Sequence, residues 1–180
     1  MTDQKALVGT EALALLQRSE PIRDRRISDV VAVPPDSFGG RVDCERAHFA
    51  SLTAICTMFY EPVRLVDCHF ENLDFYAAYF LQGLLMTGCT VRGRVQFQSG
   101  GHNNDGAVQI IDTQFNGFVD FEDCWFTGPV QLRNVSFDAG TNLLGNADSP
   151  VTARFDVAPE LENVVGELDS RTFRGQHPGR

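Results

Sequence analysis

The sequence has one lysine, one tryptophan and three tyrosines among 180 residues, although it has fourteen arginines and fourteen phenylalanines. No apolar run approaches the ~20 residues of a membrane-spanning helix, and residues 1–20 carry too many charges for a secretory signal. The five cysteines form no CxxC motif, which argues against a zinc or redox site. We therefore expect a cytoplasmic protein with reduced thiols.

Basic residues are scarce relative to acidic ones. The chain has 15 basic and 24 acidic residues, which gives a net charge of −9. Fourteen of the acids but only six of the bases lie within residues 35–148, so almost the whole excess belongs to the middle of the chain. Such a charge argues against a surface that neutralises nucleic-acid phosphates or anionic lipids. We expect neither direct nucleic-acid binding nor membrane binding.

Bulky apolar residues recur at steps of five or six from Ile22 onward. In the C-terminal half the steps alternate and give an eleven-residue unit, with one series at Phe115, Phe126 and Phe137 and another at Ile110, Phe121, Leu132 and Leu143. Two places before most of them stands a small or β-branched residue, which an extended segment puts on the same face. A helix would need a 3.6-residue period, so the pattern predicts a coil of short strands.

Several five-residue units have a small residue followed two places later by a central phenylalanine. Examples are 68–72 (Cys-His-Phe-Glu-Asn), 78–82 (Ala-Tyr-Phe-Leu-Gln) and 124–128 (Cys-Trp-Phe-Thr-Gly). In these units the chain resembles the pentapeptide-repeat family, over roughly residues 22–145. The resemblance implies a right-handed, four-sided parallel β-helix. The chain departs from the family before the central residue, where His, Arg, Gln or Tyr often replaces Asp or Asn.

Four units per turn predict coils that begin near six residues: Ile22, Cys44, Leu65, Leu85, Ile110 and Leu132. We expect an all-β solenoid in three parts: an N-terminal helical cap at 1–21, the β-helix at 22–148, and a C-terminal element with a flexible tail at 149–180. The fourth coil contains a polar, glycine-rich segment at 98–106, which we interpret as a corner insertion.

Each end of the chain carries a predicted helix, and a solenoid needs its terminal coils covered. The first helix is predicted over 3–19, is strongest from Thr10 onward with Thr10 as N-cap, and ends before Pro21. The second follows a strand at 151–155, opens at Ala158-Pro159, and places four apolar residues on one face: Leu161, Val164, Val165 and Leu168. We expect each helix to cap the adjacent coil, or alternatively to form an interface, which for the second helix would make a homodimer.

Candidate metal ligands are few. His48 and His69 precede central phenylalanines one coil apart and should stack on the outside, but two histidines do not complete a metal site. His102 and its neighbours at 103–105 offer further ligands, although their flanking glycines indicate a turn more simply. Four of the cysteines fall on inward positions, which predicts buried thiols, with a Cys68–Cys89 disulfide as the alternative. The sequence predicts no metal and no other cofactor.

Clusters of carboxylates could indicate catalysis, because parallel β-helices include polysaccharide-cleaving enzymes that use paired carboxyl groups. Asp120 and Glu122 flank the inward-facing Phe121, so both are expected to point outward. Asp74 lies two coils earlier on the same side, and Gln96 interrupts the acidic row between them. Since no long loop forms a cleft beside these groups, a small enzyme acting on a polysaccharide is only the alternative prediction.

Apolar side chains also follow the outside of the predicted coil. The register places Met58, Tyr60, Tyr79, Leu81 and Trp125 outward on one side, and Leu84, Met86 and Ile111 extend this stripe around the next corner. Such a patch indicates an interface, unless a terminal helix lies along it. The main prediction is therefore a non-catalytic, acidic module for protein binding. Some pentapeptide-repeat proteins resemble duplex DNA in shape and charge and bind type II topoisomerases, so the resemblance implies a DNA topoisomerase as the specific partner.

Overall fold

The computed structural model describes residues 5–102, 106–145 and 151–170. Most of its strands are only two to four residues long, and they pair in parallel with strands one coil before and one coil after. The strands stack into a β-solenoid of about 6 turns. The predicted all-β solenoid is thereby confirmed.

The strands repeat in the same order from coil to coil. The solenoid is preceded by β1 (Lys5–Leu7) and α1 (Gly9–Gln17). The first two coils contain β2 (Ile22–Arg23), β3 (Arg25–Ala32), β4 (Asp36–Phe38), β5 (Val42–Glu45), β6 (His48–Thr53) and β7 (Thr57–Phe59). The next two contain β8 (Val63–Val66), β9 (His69–Phe70), β10 (Leu73–Asp74), β11 (Tyr79–Phe80), β12 (Leu84–Thr87), β13 (Thr90–Val91), β14 (Val95–Gln96) and β15 (Gly101–His102). The last coils contain β16 (Val108–Ile111), β17 (Gln114–Phe115), β18 (Val119–Asp120), β19 (Trp125–Phe126), β20 (Val130–Arg133), β21 (Ser136–Phe137), β22 (Arg154–Phe155) and β23 (Glu160–Glu162).

Three sheets run along the solenoid. One has the order β2-β5-β8-β12-β16-β20-β23, and a second, which we call the aromatic sheet, has the order β22-β19-β15-β11-β7-β4. The third contains two ladders, β10-β14-β18 and β9-β13-β17-β21, which are joined through the longer strands β6 and β3.

The interior is filled by phenylalanines that stack from one coil to the next. Phe49 and Phe70 are nearly parallel, with ring centroids 5.1 Å apart. Phe97 and Phe121 stack in the same way at 4.9 Å. Because each inward position recurs one coil later, each ring finds a like ring above or below it, and the core continues along the axis.

The register of the first sheet corrects one predicted coil boundary. Cys44 pairs with Leu65, Leu65 with Met86, and Met86 with Ile110, so the fourth coil does not begin at Leu85. Met86 and Leu84 face inward and are buried. The prediction was wrong because it placed a five-residue step before a six-residue step here, whereas the chain uses the reverse order. A one-residue slip moves every side chain of a strand to the other face.

One corner of each coil is a single residue with left-handed backbone. These residues have φ between 47° and 64°: Asp24, Arg46, Asp67, Gly88, Asp112, Asn134 and Asn163. Asp, Asn and Gly adopt this conformation most readily. The side chains also connect coils, since Asn134 Nδ2 donates to Asp112 Oδ1 at 2.7 Å.

Helix α1 closes the N-terminal end. Its Ala12 and Leu16 are fully buried and belong to the same core as the coils. The predicted helix over 3–19 is too long, because residues 5–7 form strand β1 and the helix begins at Gly9, with Val8 and not Thr10 as the N-cap. The cause is a tertiary contact, because Asp29 on β3 accepts a hydrogen bond from the Gly9 amide at 2.5 Å. No helix of the described residues is long and apolar enough to cross a membrane.

The predicted C-terminal helix is wrong. The chain forms β22 and β23 instead, which pair in parallel with β19 and β20, and Val165 makes a further bridge to Ser136. The amides of Asn134 and Phe137 donate to carbonyl oxygens of this last segment at 2.9 Å. Backbone groups of the preceding coil would otherwise lack these partners, so the open ladder favours a strand over a short helix.

The four residues of the predicted dimer face therefore do not share one face. Leu161 and Val165 are exposed, whereas Val164 and Leu168 are half-buried and pack against the core. The segment caps the last complete coil, which was one of the two alternatives for this end of the chain. It does so as a further partial coil and not as a helix. Homodimerisation itself stays a prediction.

Candidate functional site

The aromatic sheet presents one outward row of residues along the solenoid. In register, Met58 pairs with Tyr79, Tyr79 with Gly101, Gly101 with Trp125, and Trp125 with Arg154. Each of these residues precedes an inward position of its strand, which for β11 and β19 is the buried Phe80 and Phe126. Alternation along a strand therefore turns the whole row outward.

Four large apolar side chains on this side of the solenoid are exposed, as predicted. The exposed fractions are 36% for Met58, 47% for Tyr60, 43% for Tyr79 and 50% for Trp125. We call these four residues the aromatic surface. Helix α1 does not cover them, so among the described residues the competing explanation of a helix along this stripe is wrong.

The predicted stripe was too long at one end. Leu81 is half-buried, and Leu84 and Met86 are buried core residues of the first sheet. Leu84 and Met86 lie around the corner from the aromatic surface, and they were predicted to point outward because of the wrong coil boundary at Leu85. Ile111, which was also predicted to extend the stripe, is half-buried.

Gly101 leaves a gap in the outward row. Neighbouring coils are ~4.8 Å apart, so Tyr79 and Trp125 stand about 9.6 Å apart along the axis with only a glycine between them. A groove of about 280 Å³ lies there, lined by Tyr79, Ser99, Gly100, Asp123, Trp125, Thr127 and Arg154. A Cβ atom at position 101 would lie 2.0 Å from the carbonyl oxygen of Trp125, so no larger residue fits.

Trp125 is held in place from the side opposite to Gly101. Arg154, on the following coil, places its guanidinium carbon 5.3 Å from the centroid of the indole ring. The indole Nε1 donates a hydrogen bond to Asp156 Oδ1 at 3.0 Å. These two contacts orient the ring, and Arg154 lines the groove together with Trp125.

Three acids near the aromatic surface have no charged partner. Within the described residues, Asp36, Glu61 and Asp123 form no ion pair and accept no side-chain hydrogen bond. Several acids elsewhere are paired with arginines of adjacent coils, as in Arg64–Asp43 (2.7 Å), Arg46–Asp24 (2.8 Å) and Arg92–Glu71 (2.9 Å). The aromatic surface is therefore bordered by three unpaired carboxylates and by the Arg154 cation over Trp125.

Asp120 does not point outward with Glu122, which corrects the prediction for this pair. Its side chain is 1% exposed and lies 2.5 Å from Arg94 Nη2. Asn142 Nδ2 also donates to it, at 2.8 Å, and so does the backbone amide of Glu122, at 3.1 Å. Both carboxylate oxygens are thus occupied by neighbours from three coils, and the group is a buried ion pair within the fold.

The two histidines stack on the outside as predicted. His48 and His69 have ring centroids 4.8 Å apart and an interplanar angle of 12°. Their Nε2 atoms lie 3.2 and 3.4 Å from Glu71 Oε1, and Arg92 Nη1 donates to the same oxygen at 2.9 Å. Burial and the charges of His48 and Arg92 lower the pKa of His69, against the opposing effect of Glu71.

These two histidines and Glu71 could hold a metal ion, because their ligand atoms lie within 4.8 Å of one another. Parallel imidazole rings, however, direct their lone pairs side by side and not toward a common point. A cation would also have to displace the Arg92 guanidinium from the carboxylate. The other candidate ligands, at 103–105, lie outside the described residues. The absence of a metal site stays a prediction.

All five cysteines are free thiols. Cys44, Cys68, Cys89 and Cys124 are buried and only Cys56 is exposed, as the two inward registers predicted. Burial raises the pKa of the Cys44 and Cys124 thiols. The alternative of a Cys68–Cys89 disulfide is not realised in this structure, and the buried thiols act as small apolar groups.

Comparison of this chain with protein-family models, with curated proteins and with solved structures found no match. The fold is therefore known from the structure itself.

Sequence reasoning missed the groove. The segment 98–106 was interpreted as a corner insertion, yet its first part forms strand β15 and supplies Gly101 to the outward row. The signal was present in the sequence, because Tyr79 precedes Phe80 as Trp125 precedes Phe126, and the coil between them has two consecutive glycines at the equivalent place.

Proposed function

We propose that this protein is a non-catalytic, acidic pentapeptide-repeat module that binds a basic protein partner through its aromatic surface. The observation that carries the proposal is the outward row at Met58, Tyr79 and Trp125, whose side chains are exposed although the adjacent inward residues already fill the core. Exposed aromatic residues clustered on one side of a protein are typical of interfaces.

A basic partner is favoured by the charge around this surface. The chain has a net charge of −9, and the acids that border the aromatic surface have no ion-pair partner among the described residues. Charge complementarity of this kind speeds encounter and makes affinity depend on salt. In the first coils of the first sheet, by contrast, Asp43 and Glu45 are paired with Arg23 and Arg64, which favours the aromatic side over a binding mode that uses the whole rod.

The specific partner that the family resemblance implies is a type II DNA topoisomerase, an enzyme with a basic DNA-binding surface. DNA mimicry would be one way to bind it. The alternative function, a polysaccharide-cleaving enzyme, has less support because Asp120 is buried beneath Arg94 and accepts hydrogen bonds at both oxygens. A general acid must reach its substrate, and this carboxylate cannot do so without unpairing.

The test is a binding titration of the full chain against a purified type II topoisomerase over a range of salt concentrations. Light scattering first gives the mass of the wild type. We expect affinity to fall as salt rises, and we expect the double substitution Tyr60→Arg/Tyr79→Arg to weaken binding at least tenfold. The added positive charge and the lost apolar contact act in the same direction.

The matched control is Gln114→Arg/Asn116→Arg, which adds the same charge on a different sheet at two exposed positions. Its affinity should fall much less. Equal losses in both variants would show that net charge alone determines binding and would contradict the role of the aromatic surface. A wild-type dimer that only the Tyr60/Tyr79 variant dissociates would instead make this surface a self-interface.

A further inference from the structure

We propose that the groove between Tyr79 and Trp125 binds the guanidinium group of an arginine side chain of the partner protein. The inference rests on the proposed function and specifies the chemical group that the aromatic surface recognises. Its basis is the combination of two aromatic walls, a glycine floor and an unpaired carboxylate at the edge of the groove.

The spacing of the walls suits a planar group. A flat group between two rings needs them about 7–8 Å apart, twice the optimal separation of stacked atoms. Tyr79 and Trp125 stand about 9.6 Å apart along the axis. Tyr79 is 43% exposed, and within the described residues its hydroxyl group has no hydrogen-bond partner. The ring is therefore free to tilt toward Trp125 and close the remaining distance.

Trp125 already stacks on a guanidinium group. Arg154 lies over the ring with its guanidinium carbon 5.3 Å from the centroid. Arg154 comes from the coil after Trp125, so a second guanidinium that enters on the Gly101 side would repeat this contact on the other face of the indole. Arginine suits such a place better than lysine, because its cation is planar, weakly hydrated and able to stack.

Asp123 supplies the negative charge of the groove, whose lining also includes the Arg154 cation. Its carboxylate lines the groove beside Ser99, and within the described part of the chain it accepts no hydrogen bond. A stacked guanidinium could donate to it with its in-plane N–H groups, which is the favoured geometry of arginine with a carboxylate. A nucleotide base would also stack between the rings, but its phosphate would face the negative charge of this side.

The test uses the fluorescence of Trp125, which is the single tryptophan of the chain. The folded full-length protein is titrated with acetylated and amidated Gly-Arg-Gly, and in parallel with the matching Gly-Lys-Gly peptide. We expect a saturable change in Trp125 emission with the arginine peptide and about fivefold weaker binding of the lysine peptide.

Substitutions locate the site. Tyr79→Ala and Asp123→Asn should each weaken binding of the arginine peptide about fivefold, since the first removes one wall of the groove and the second removes the carboxylate that lines it. Val30→Ala and Asp67→Asn are the controls, because both residues are exposed and lie away from the aromatic surface, and they should leave binding unchanged. Circular dichroism confirms that each variant is folded.

Equal binding of the two peptides would overturn the proposal, because it would show attraction by charge alone. A saturable response to a neutral trisaccharide at lower concentration than to the arginine peptide would also overturn it in favour of a carbohydrate site. If the topoisomerase binds but the arginine peptide does not, the groove proposal fails and the proposed function stands. If the peptide binds and the topoisomerase does not, the topoisomerase proposal fails and the groove stands.

Discussion

Tyr79 and Trp125 occupy equivalent positions of one ladder, two coils apart, and both pair with Gly101 between them. The two rings therefore face a common groove, where a third side chain would otherwise fill the row. The inward neighbours Phe80 and Phe126 are both buried.

The glycine at position 101 should be essential for this arrangement. Gly101→Ala places a methyl group against the Trp125 carbonyl oxygen, and we expect it to lower the free energy of unfolding by about 1–3 kcal/mol. Gly39→Ala is the control, because a Cβ there meets nothing within 4 Å. Urea denaturation of both variants checks this, and equal stabilities would show that the coil spacing at Gly101 is not as tight as described.

Removing the partner of a buried carboxylate should be costly. Arg94→Met leaves Asp120 buried with one of its oxygens unpaired, and we expect a loss of about 2–3 kcal/mol, at the lower end for a broken buried pair because Arg94 is partly exposed. Arg92→Met breaks a more exposed pair, with Glu71, and should cost less than about 1 kcal/mol. Similar losses in the two variants, measured by chemical denaturation, would contradict the structural role of Asp120.

Two alanine-to-glycine substitutions should have opposite effects. Ala77 has φ of 52°, so Ala77→Gly should relieve strain and raise the free energy of unfolding by about 0.5–1 kcal/mol. Ala50 lies within strand β6, where Ala50→Gly should lower it by about 0.5–1 kcal/mol. Thermal or urea unfolding of the two variants tests the left-handed backbone at Ala77. A loss of stability in both variants would contradict that conformation.

Stability should fall in mild acid, in part because of His69. Its pKa in the folded protein is lowered by burial and by the charges of His48 and Arg92. A lowered folded-state pKa means that the contribution is complete above the unfolded value of about 6.5 and is lost as pH falls below it. We expect His69→Asn to flatten the dependence of the urea midpoint on pH between about 7.5 and 5.5. An unchanged slope would show that His69 titrates as it does in the unfolded chain.

The five- and six-residue steps of the sequence were enough to predict the solenoid and most of its core. Phe49 and Phe70 stack as the period requires, and so do His48 and His69 on the outside. The period did not decide the order of a five-residue and a six-residue step, so the face of Met86 was predicted wrongly. Both orders preserve the total length of the coil, and only the pairing with Leu65 and Ile110 distinguishes them.

Other errors arose where distant residues determine the outcome. The spacing of Leu161, Val164 and Leu168 is typical of a helix. However, the open edge of the preceding coil, at β20, has backbone groups that form hydrogen bonds with an added strand and could not do so with a helix. Asp120 lies next to an inward phenylalanine, which predicts an outward carboxylate, yet Arg94 and Asn142 from the adjacent coils enclose it. Neither contact can be inferred from neighbouring positions in the sequence.

The most direct test of the account compares Tyr79→Ala with the wild type in the affinity for a purified type II topoisomerase, with the free energy of unfolding measured on the same samples. We expect at least a tenfold loss of affinity and a change in stability within about 0.5 kcal/mol, because Tyr79 is exposed and the core beneath it is complete. Unchanged affinity in a folded Tyr79→Ala protein, or no binding by the wild type, would contradict the central claim that this surface recognises the partner.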